Sequence, residues 1–159
     1  MCLVPRKRLA FRLNYTVLAI TLAVTAIDAF TKVWARHALA KHAVHVGGAI
    51  WLRLTYNAGV SFSFNQSGPF LTSVVTVLVA LVVLVVGLNA HRGVPAIGFG
   101  LLLGGGVANV VDRLAATPHR VTDFIAVSSF PVFNLADVSI TAGFITLLVA
   151  ALSGEKLLA

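Results

Sequence analysis

"FLTSVVTVLVALVVLVVGLN", residues 70–89, runs for 20 residues without one ionisable side chain. A helix of that length spans about 30 Å, the thickness of a bilayer's hydrocarbon core, so the stretch reads as a transmembrane helix. Its many β-branched residues suit a lipid-facing wall. Three further segments, 14–34, 94–114 and 136–154, are long and apolar enough to cross as well. The composition agrees: 58% of the chain is hydrophobic and 11% charged, with mean hydropathy +0.96, whereas soluble domains are roughly half apolar and about a quarter charged. Little of the 159 residues is left for a separate domain. The expected architecture is an all-α membrane protein, a single domain over 1–159 with four transmembrane helices.

Charge sets the orientation. "PRKRLAFR" at 5–12 places four Arg and Lys residues directly before the first span, with no acid beside them. Positive juxtamembrane segments stay inside, so the amino terminus is expected in the cytoplasm, and an even number of spans returns the carboxyl terminus there. The outer face then carries Arg36, Lys41, Arg53, Arg113 and Arg120 in its loops. The first span exceeds the roughly 7–15-residue core of a secretory leader, and Asp28 and Lys32 interrupt it, so it is read as retained despite "ALA" at 38–40. The net charge of +7 does not point to nucleic acid, because the basic residues are scattered and no aromatic–basic platform accompanies them. Cys2 is the one cysteine, which excludes an intrachain disulfide and a thiolate metal site.

Between the first two spans the sequence "VHVGGAIWLRLTYNAGVSFSF" at 44–64 changes period. Ile50, Leu52, Leu54 and Tyr56 alternate with Trp51, Arg53 and Thr55, the period-two pattern of a strand. Gly47–Gly48 precedes this strand and Asn57-Ala58-Gly59 turns the chain after it, so a second strand is expected through Val60, Phe62 and Phe64. The outcome is a small β-sheet over about 44–65 on the outer, extracytoplasmic side, with Trp51 at the lipid–water interface.

Acids are scarce: Asp28, Asp112, Asp123, Asp137 and Glu155 are the five in the chain. In the expected topology the distal ends of spans one and three meet the start of span four at the outer face. Asp28, Asp112 and Asp137 gather there, Asp123 joins them from the outer loop, and Glu155 lies opposite. An aspartate at the centre of a span costs about 2.5–3.5 kcal/mol on insertion scales and so implies a partner or a task. Asp28 and Lys32 are four apart on one helix face and read as an internal ion pair. Asn109, Asp112 and Arg113 share a face of span three, either as a polar helix end reaching the headgroups or as part of a site. Asn134 is a favoured N-cap residue and puts Asp137 at the third helical position, so capping alone would account for both. Capping leaves Asp123, in "VTDF", unexplained.

Two carboxylates brought together in a partly dry site share a proton, so one can act as general base toward water and the other as general acid toward a carbonyl. The glycines of span three, Gly98, Gly100, Gly104, Gly105 and Gly106, lack the preceding strand of a phosphate loop and read as helix-packing positions. His37, His42, His45, His91 and His119 accompany no nucleophile motif, and His42 with His45 lacks companion ligands, so neither a triad nor a metal site is expected.

Taken in order, these residues fall into boxes that resemble the lipoprotein signal peptidases (signal peptidase II), aspartic proteases of the bacterial inner membrane. Asp28 and Lys32 are similar to the family's D-x-x-x-K, and "YNAGVSF" at 56–62 to its N-x-G-x-x-F. "GGGVANVVDRL" at 104–114, "VTDF" at 121–124 and "FNLADVSITAG" at 133–143 resemble its remaining three boxes. The resemblance implies that Asp123 and Asp137 are the catalytic dyad, that Asn57, Asn109, Arg113 and Asn134 line the site and hold substrate backbone, and that Asp28 and Asp112, with Lys32, are structural support. It implies a diacylglyceryl-modified prolipoprotein as substrate, cleaved before the lipidated cysteine, with the outer sheet as a cradle and with no metal or cofactor. The expected setting is the bacterial cytoplasmic (inner) membrane, with membrane lipid around a monomer, both termini cytoplasmic and the active site near the outer face. Ala108 stands where the family usually has glycine, and "LAATPHRVTDF" at 114–124 is longer than the family's usual connection. The alternatives are a catalytically inactive homologue and a small four-span proton-linked transporter. The transporter would need polar groups across the full membrane depth, whereas spans two to four are apolar on their cytoplasmic half.

Overall fold

The computed structural model describes residues 13–57, 68–115 and 120–159. The basic run at 5–12, the expected second strand at 60–64 and Pro118-His119 lie outside the described residues. Four helices, α1 (Tyr15–Ala38), α2 (Gly68–Leu88), α3 (Val94–Ala115) and α4 (Leu135–Leu152), carry the apolar segments, and each is long and apolar enough to cross a membrane. The Asn14 side chain starts α1 by accepting from the Thr16 and Val17 amides. At its other end α1 continues beyond the expected stop at Trp34 to Ala38, which corrects the assignment of Arg36 to a loop. Arg36 lies in the last helical turn, where the helix dipole favours a cation, and its Nη1 is 3.2 Å from Asp112 Oδ1.

Helix α3 is the centre of the bundle: 56% of its apolar window is buried, against 17% for α2 and α4 and 22% for α1. Its glycines permit this. A Cβ at Gly104 would lie 2.7 Å from Val24 Cβ on α1, and one at Gly143 of α4 would lie 2.7 Å from Gly98 O. Lipid supplies no hydrophobic drive for helix association, so close backbone approach and interhelical hydrogen bonds hold such a bundle together. Thr21 and Thr25 of α1 supply two of these, donating to Gly100 O at 3.3 Å and Gly104 O at 3.2 Å. Helix α2 is the expected wall, with Leu71, Val75, Leu78, Val79, Val82 and Val85 all exposed.

Three strands, β1 (Val44–Gly47), β2 (Ile50–Asn57) and β3 (Val121–Val127), form an antiparallel sheet in the order β1-β2-β3. Period-two alternation in β2 is as expected: Leu52 and Leu54 pack with Phe124 against Ala35 and Leu39 at the end of α1, while Trp51 stacks on His45 at 4.4 Å. The partners of β2 differ from expectation. Gly48–Ala49 is the turn of a β1–β2 hairpin that pairs Gly47 with Ile50, with Gly48 at φ 54°, and the second partner is β3, from beyond α3. Asp123 is therefore a strand residue, not a loop residue. Residues 121–124 are all buried, so the segment shows none of the in–out alternation by which a half-buried strand is recognised.

The sheet lies at the end of the bundle where α1 and α3 finish and α4 begins. Asp28, Asp112, Asp123 and Asp137 are all at this end, as expected. Glu155 is at the other, in a cleft with His91 and Arg92, where the His91 amide donates to Leu157 O at 2.9 Å.

Candidate active site

The site begins with a buried cation. Lys32 Nζ lies 2.8 Å from Asp28 Oδ2, and each side chain is 2% exposed or less. The remaining oxygen of Asp28, Oδ1, accepts from the Ala136 amide at 2.8 Å. That amide is one of the donors an α-helix leaves unsatisfied in its first turn, so the ion pair of α1 also anchors the start of α4. Lys32 Nζ donates to Asn109 Oδ1 at 2.9 Å and is 3.6 Å from Asp112 Oδ2. An ammonium has no acceptor, so it fixes which way the Asn109 amide faces. The opposite end of that amide, Nδ2, donates to Asp137 Oδ1 at 2.9 Å.

Asn134 joins the two halves. It is the N-cap of α4: its Oδ1 accepts from the Asp137 amide at 3.0 Å, and Asp137 Oδ2 accepts from the Asn134 amide at 3.1 Å, which closes a capping box. With Oδ1 committed to the cap, Nδ2 points the other way and donates to Asp123 Oδ1 at 2.7 Å. Asn134 is fully buried. Capping and site construction are thus one arrangement, not competing explanations of the same residues.

Local chain geometry brings Asp123 to Asn134. After β3 the chain turns at Val127–Phe130 and returns, and Phe133 exchanges backbone hydrogen bonds with Ile125 at 2.8 and 2.9 Å. That pairing delivers the next residue, Asn134, beside Asp123. The Asp123 carboxyl is 1% exposed. Burial pushes it up from 3.8 to about 6, and the charge of Asp137 adds to the rise; hydrogen bonds from Asn57 and Asn134 and the charge of Lys32 oppose it. Asn57 reaches it from β2, where Thr55 is the register partner of Asp123.

Behind the pair lies Asp112. Its Oδ2 accepts from the Thr122 amide at 2.6 Å, and Arg36 Nη1 bridges Asp112 Oδ1 at 3.2 Å and Thr122 Oγ1 at 3.1 Å. Arg113, half-buried on α3, interacts electrostatically with Asp137, Asp123 and Asp112. All the site residues expected from sequence therefore converge, and two further residues join them, Arg36 and Thr122. A signal for Arg36 was present: Asp28, Lys32 and Arg36 recur every four residues, one face of a single helix. Thr122 had none. Among the described residues, no group of three or more His, Cys, Asp or Glu could hold a metal ion.

The chain is similar to known proteins in sequence and in fold. A family model described as signal peptidase (SPase) II matches residues 20–153. The lipoprotein signal peptidase of Rhodococcus jostii is 36% identical over 82% of this chain and 69% of its own length. Those of Chlorobium phaeobacteroides and Gloeobacter violaceus are 37% and 39% identical, over 79% and 87% of this chain and 89% and 82% of their own lengths. In fold, the chain is similar to a bacterial membrane enzyme solved by the in meso method at 2.3 Å resolution. That likeness has TM-score 0.77 and 21% identity over 89% of this chain and 90% of that one. With a family match over most of its length and relatives at these identities, the chain belongs to the signal peptidase II family.

Proposed function

We propose that this chain is a lipoprotein signal peptidase, an aspartic endopeptidase that removes the signal peptide from prolipoproteins whose cysteine carries a diacylglyceryl group, cutting just before that cysteine. The observation that carries the reading is the convergence of Asp123 and Asp137 on one buried asparagine, with Asp123 raised to about 6 by burial and by its partner's charge. Two adjacent carboxylates that share a proton are the requirement for aspartyl hydrolysis. Asp123 holds that proton, and Asp137 is the base.

In the reaction a water between the carboxyls loses a proton to Asp137 and attacks the scissile carbonyl carbon, while Asp123 gives its proton to the carbonyl oxygen. The tetrahedral diol then collapses: Asp123 takes a hydroxyl proton back, Asp137 passes its proton to the cysteine nitrogen, and the C–N bond breaks. Both carboxyls return to their starting states. Asn57, Asn109 and Arg113 hold substrate backbone, and the planar guanidinium of Arg113 offers several donors to carbonyls. Asp28, Lys32 and Asp112 keep the three helix ends and β3 in register.

A diacylglyceryl group suits a site at the end of spanning helices. Its chains remain in the bilayer, each buried methylene contributing about 0.8 kcal/mol, and keep the cysteine at the depth of the dyad. The basic run at 5–12 and the even number of spans support cytoplasmic termini and a site at the outer face of a single-domain monomer. The test is a gel-shift assay with purified protein and matched prolipoproteins with and without the diacylglyceryl group. Only the modified form should be cut. Equal cleavage of both removes the lipid from the reading, and cleavage of neither removes the activity.

A further inference from the structure

Thr122, the residue before Asp123, has every polar atom occupied, and three different elements supply the partners. Its amide donates to Asp112 Oδ2 at 2.6 Å, its hydroxyl accepts from Arg36 Nη1 at 3.1 Å, and its carbonyl lies 3.4 Å from Asn134 Nδ2. The side chain is 1% exposed. Side chains alternate along a strand, so Thr122 and Phe124 face the end of α1 while Asp123 faces the other way. Phe124 does pack there, against Ala35 and Leu39 and edge-on to Trp34 at 6.3 Å between ring centroids.

We infer that Arg36 and Thr122 are positioning residues for the reaction. The Arg36 guanidinium, itself fixed on Asp112, grips the back of β3 through the Thr122 hydroxyl and so sets where the Asp123 carboxyl stands. This rests on the assignment of Asp123 to the dyad. A carboxyl moved by about 1 Å loses on the order of 100-fold in rate, because reacting groups must be held in near-attack geometry. Both act on the side of β3 opposite the Asp123 carboxyl, so the effect should fall on turnover and not on substrate affinity. Arg36 lies along a cleft of about 290 Å³ between α1 and α3, with its side chain 36% exposed, and when it is replaced the buried Asp112 carboxylate keeps Lys32 Nζ at 3.6 Å and the Thr122 amide at 2.6 Å.

The test uses the full-length protein in detergent with the lipid-modified prolipoprotein. Thr122→Val keeps shape and both backbone hydrogen bonds and removes only the hydroxyl; Arg36→Met removes the donor. Each should lower kcat roughly 10- to 100-fold with KM little changed, and the double variant should be no worse than the lower single one. Thr122→Ser, which restores the oxygen, should recover most of kcat. A carboxyl released toward water also titrates lower, so the alkaline limb of kcat/KM should move to lower pH. A purely structural role would lower the folded fraction and leave kcat per folded molecule and the pH profile unchanged. If Arg36→Met does not fold, Thr122→Val, which leaves every charge paired, decides. Wild-type kcat and pH profile in Thr122→Val, with Asp123→Asn inactive, overturns the positioning role alone. Full activity in Asp123→Asn overturns the dyad on which it rests.

Discussion

Replacing Asp123 with asparagine should make the protein more stable at neutral pH, while removing its activity. The carboxyl is raised from 3.8 to about 6. A carboxyl raised on folding binds more protons in the native than in the unfolded state between those two values. Stability therefore falls as pH rises through that window, and the penalty persists above it. A rise from 3.8 to about 6 corresponds to about 3 kcal/mol. Asparagine cannot ionise, so it avoids the penalty. It has a single acceptor oxygen, however, where the carboxylate receives hydrogen bonds from Asn57 and Asn134, and losing one of them returns about 1 kcal/mol. The net gain should be about 2 kcal/mol, roughly 4–8 °C in Tm for a chain of this size. The assay is thermal unfolding in detergent followed by tryptophan fluorescence, to which Trp34 beside Phe124 reports directly. Near pH 7.5 Asp123→Asn should melt above wild type; near pH 4, where the native carboxyl is already neutral, the difference should vanish. An equal or lower Tm near pH 7.5, or the same gain at both pH values, refutes the reasoning.

A Cβ at Gly105 would overlap the Ala136 carbonyl and lie 2.7 Å from Ile140 Cγ1, whereas one at Gly106 meets nothing within 4 Å. Gly105→Ala should therefore cost about 1–3 kcal/mol and impair cleavage by shifting the start of α4, with Gly106→Ala close to wild type in melting temperature and turnover. Arg113→Lys should insert normally and lose most activity, because an ammonium cannot reproduce a guanidinium's fork of donors; wild-type turnover would reduce Arg113 to a headgroup anchor. Cysteines introduced at positions 43 and 129 should react with a membrane-impermeant thiol reagent from the outer face of intact cells and one at 156 should not, and the reverse pattern would invert the proposed topology.

Much of this arrangement was legible because membrane insertion leaves few options. A 20-residue apolar run can hardly be anything but a span, and ionisable residues in such a chain must find one another. Asp28 with Lys32, and Asn134 with Asp137, are separated by one helical turn, so spacing alone pairs them. The tertiary partners were not legible. Nothing local shows that the second oxygen of Asp28 caps a helix 108 residues away. The strand carrying Asp123 is buried at 121–124 and hides its period. It pairs with β2 across two helices, a long-range choice that turn signals around Asn57 could not reveal. Arg36 was readable from its four-residue spacing, but a helix end estimated four residues short moved it into a loop.

The central claim is that Asp123 and Asp137 work as one unit, and the most direct measurement is cleavage of a lipid-modified prolipoprotein by Asp123→Asn, Asp137→Asn and the double variant at matched amounts of folded protein. Losing the first-turn charge of α4 should cost about 0.3–1 kcal/mol of stability and losing one of the hydrogen bonds from Asn109 Nδ2 and the Asn134 amide about 1 kcal/mol more, so Asp137→Asn remains folded and, at matched amounts of folded protein, its activity reports chemistry. Each single variant should be inactive and the double variant no worse, since members of a catalytic unit are not additive. Near-normal turnover by Asp137→Asn would contradict the account and leave that residue as a helix cap.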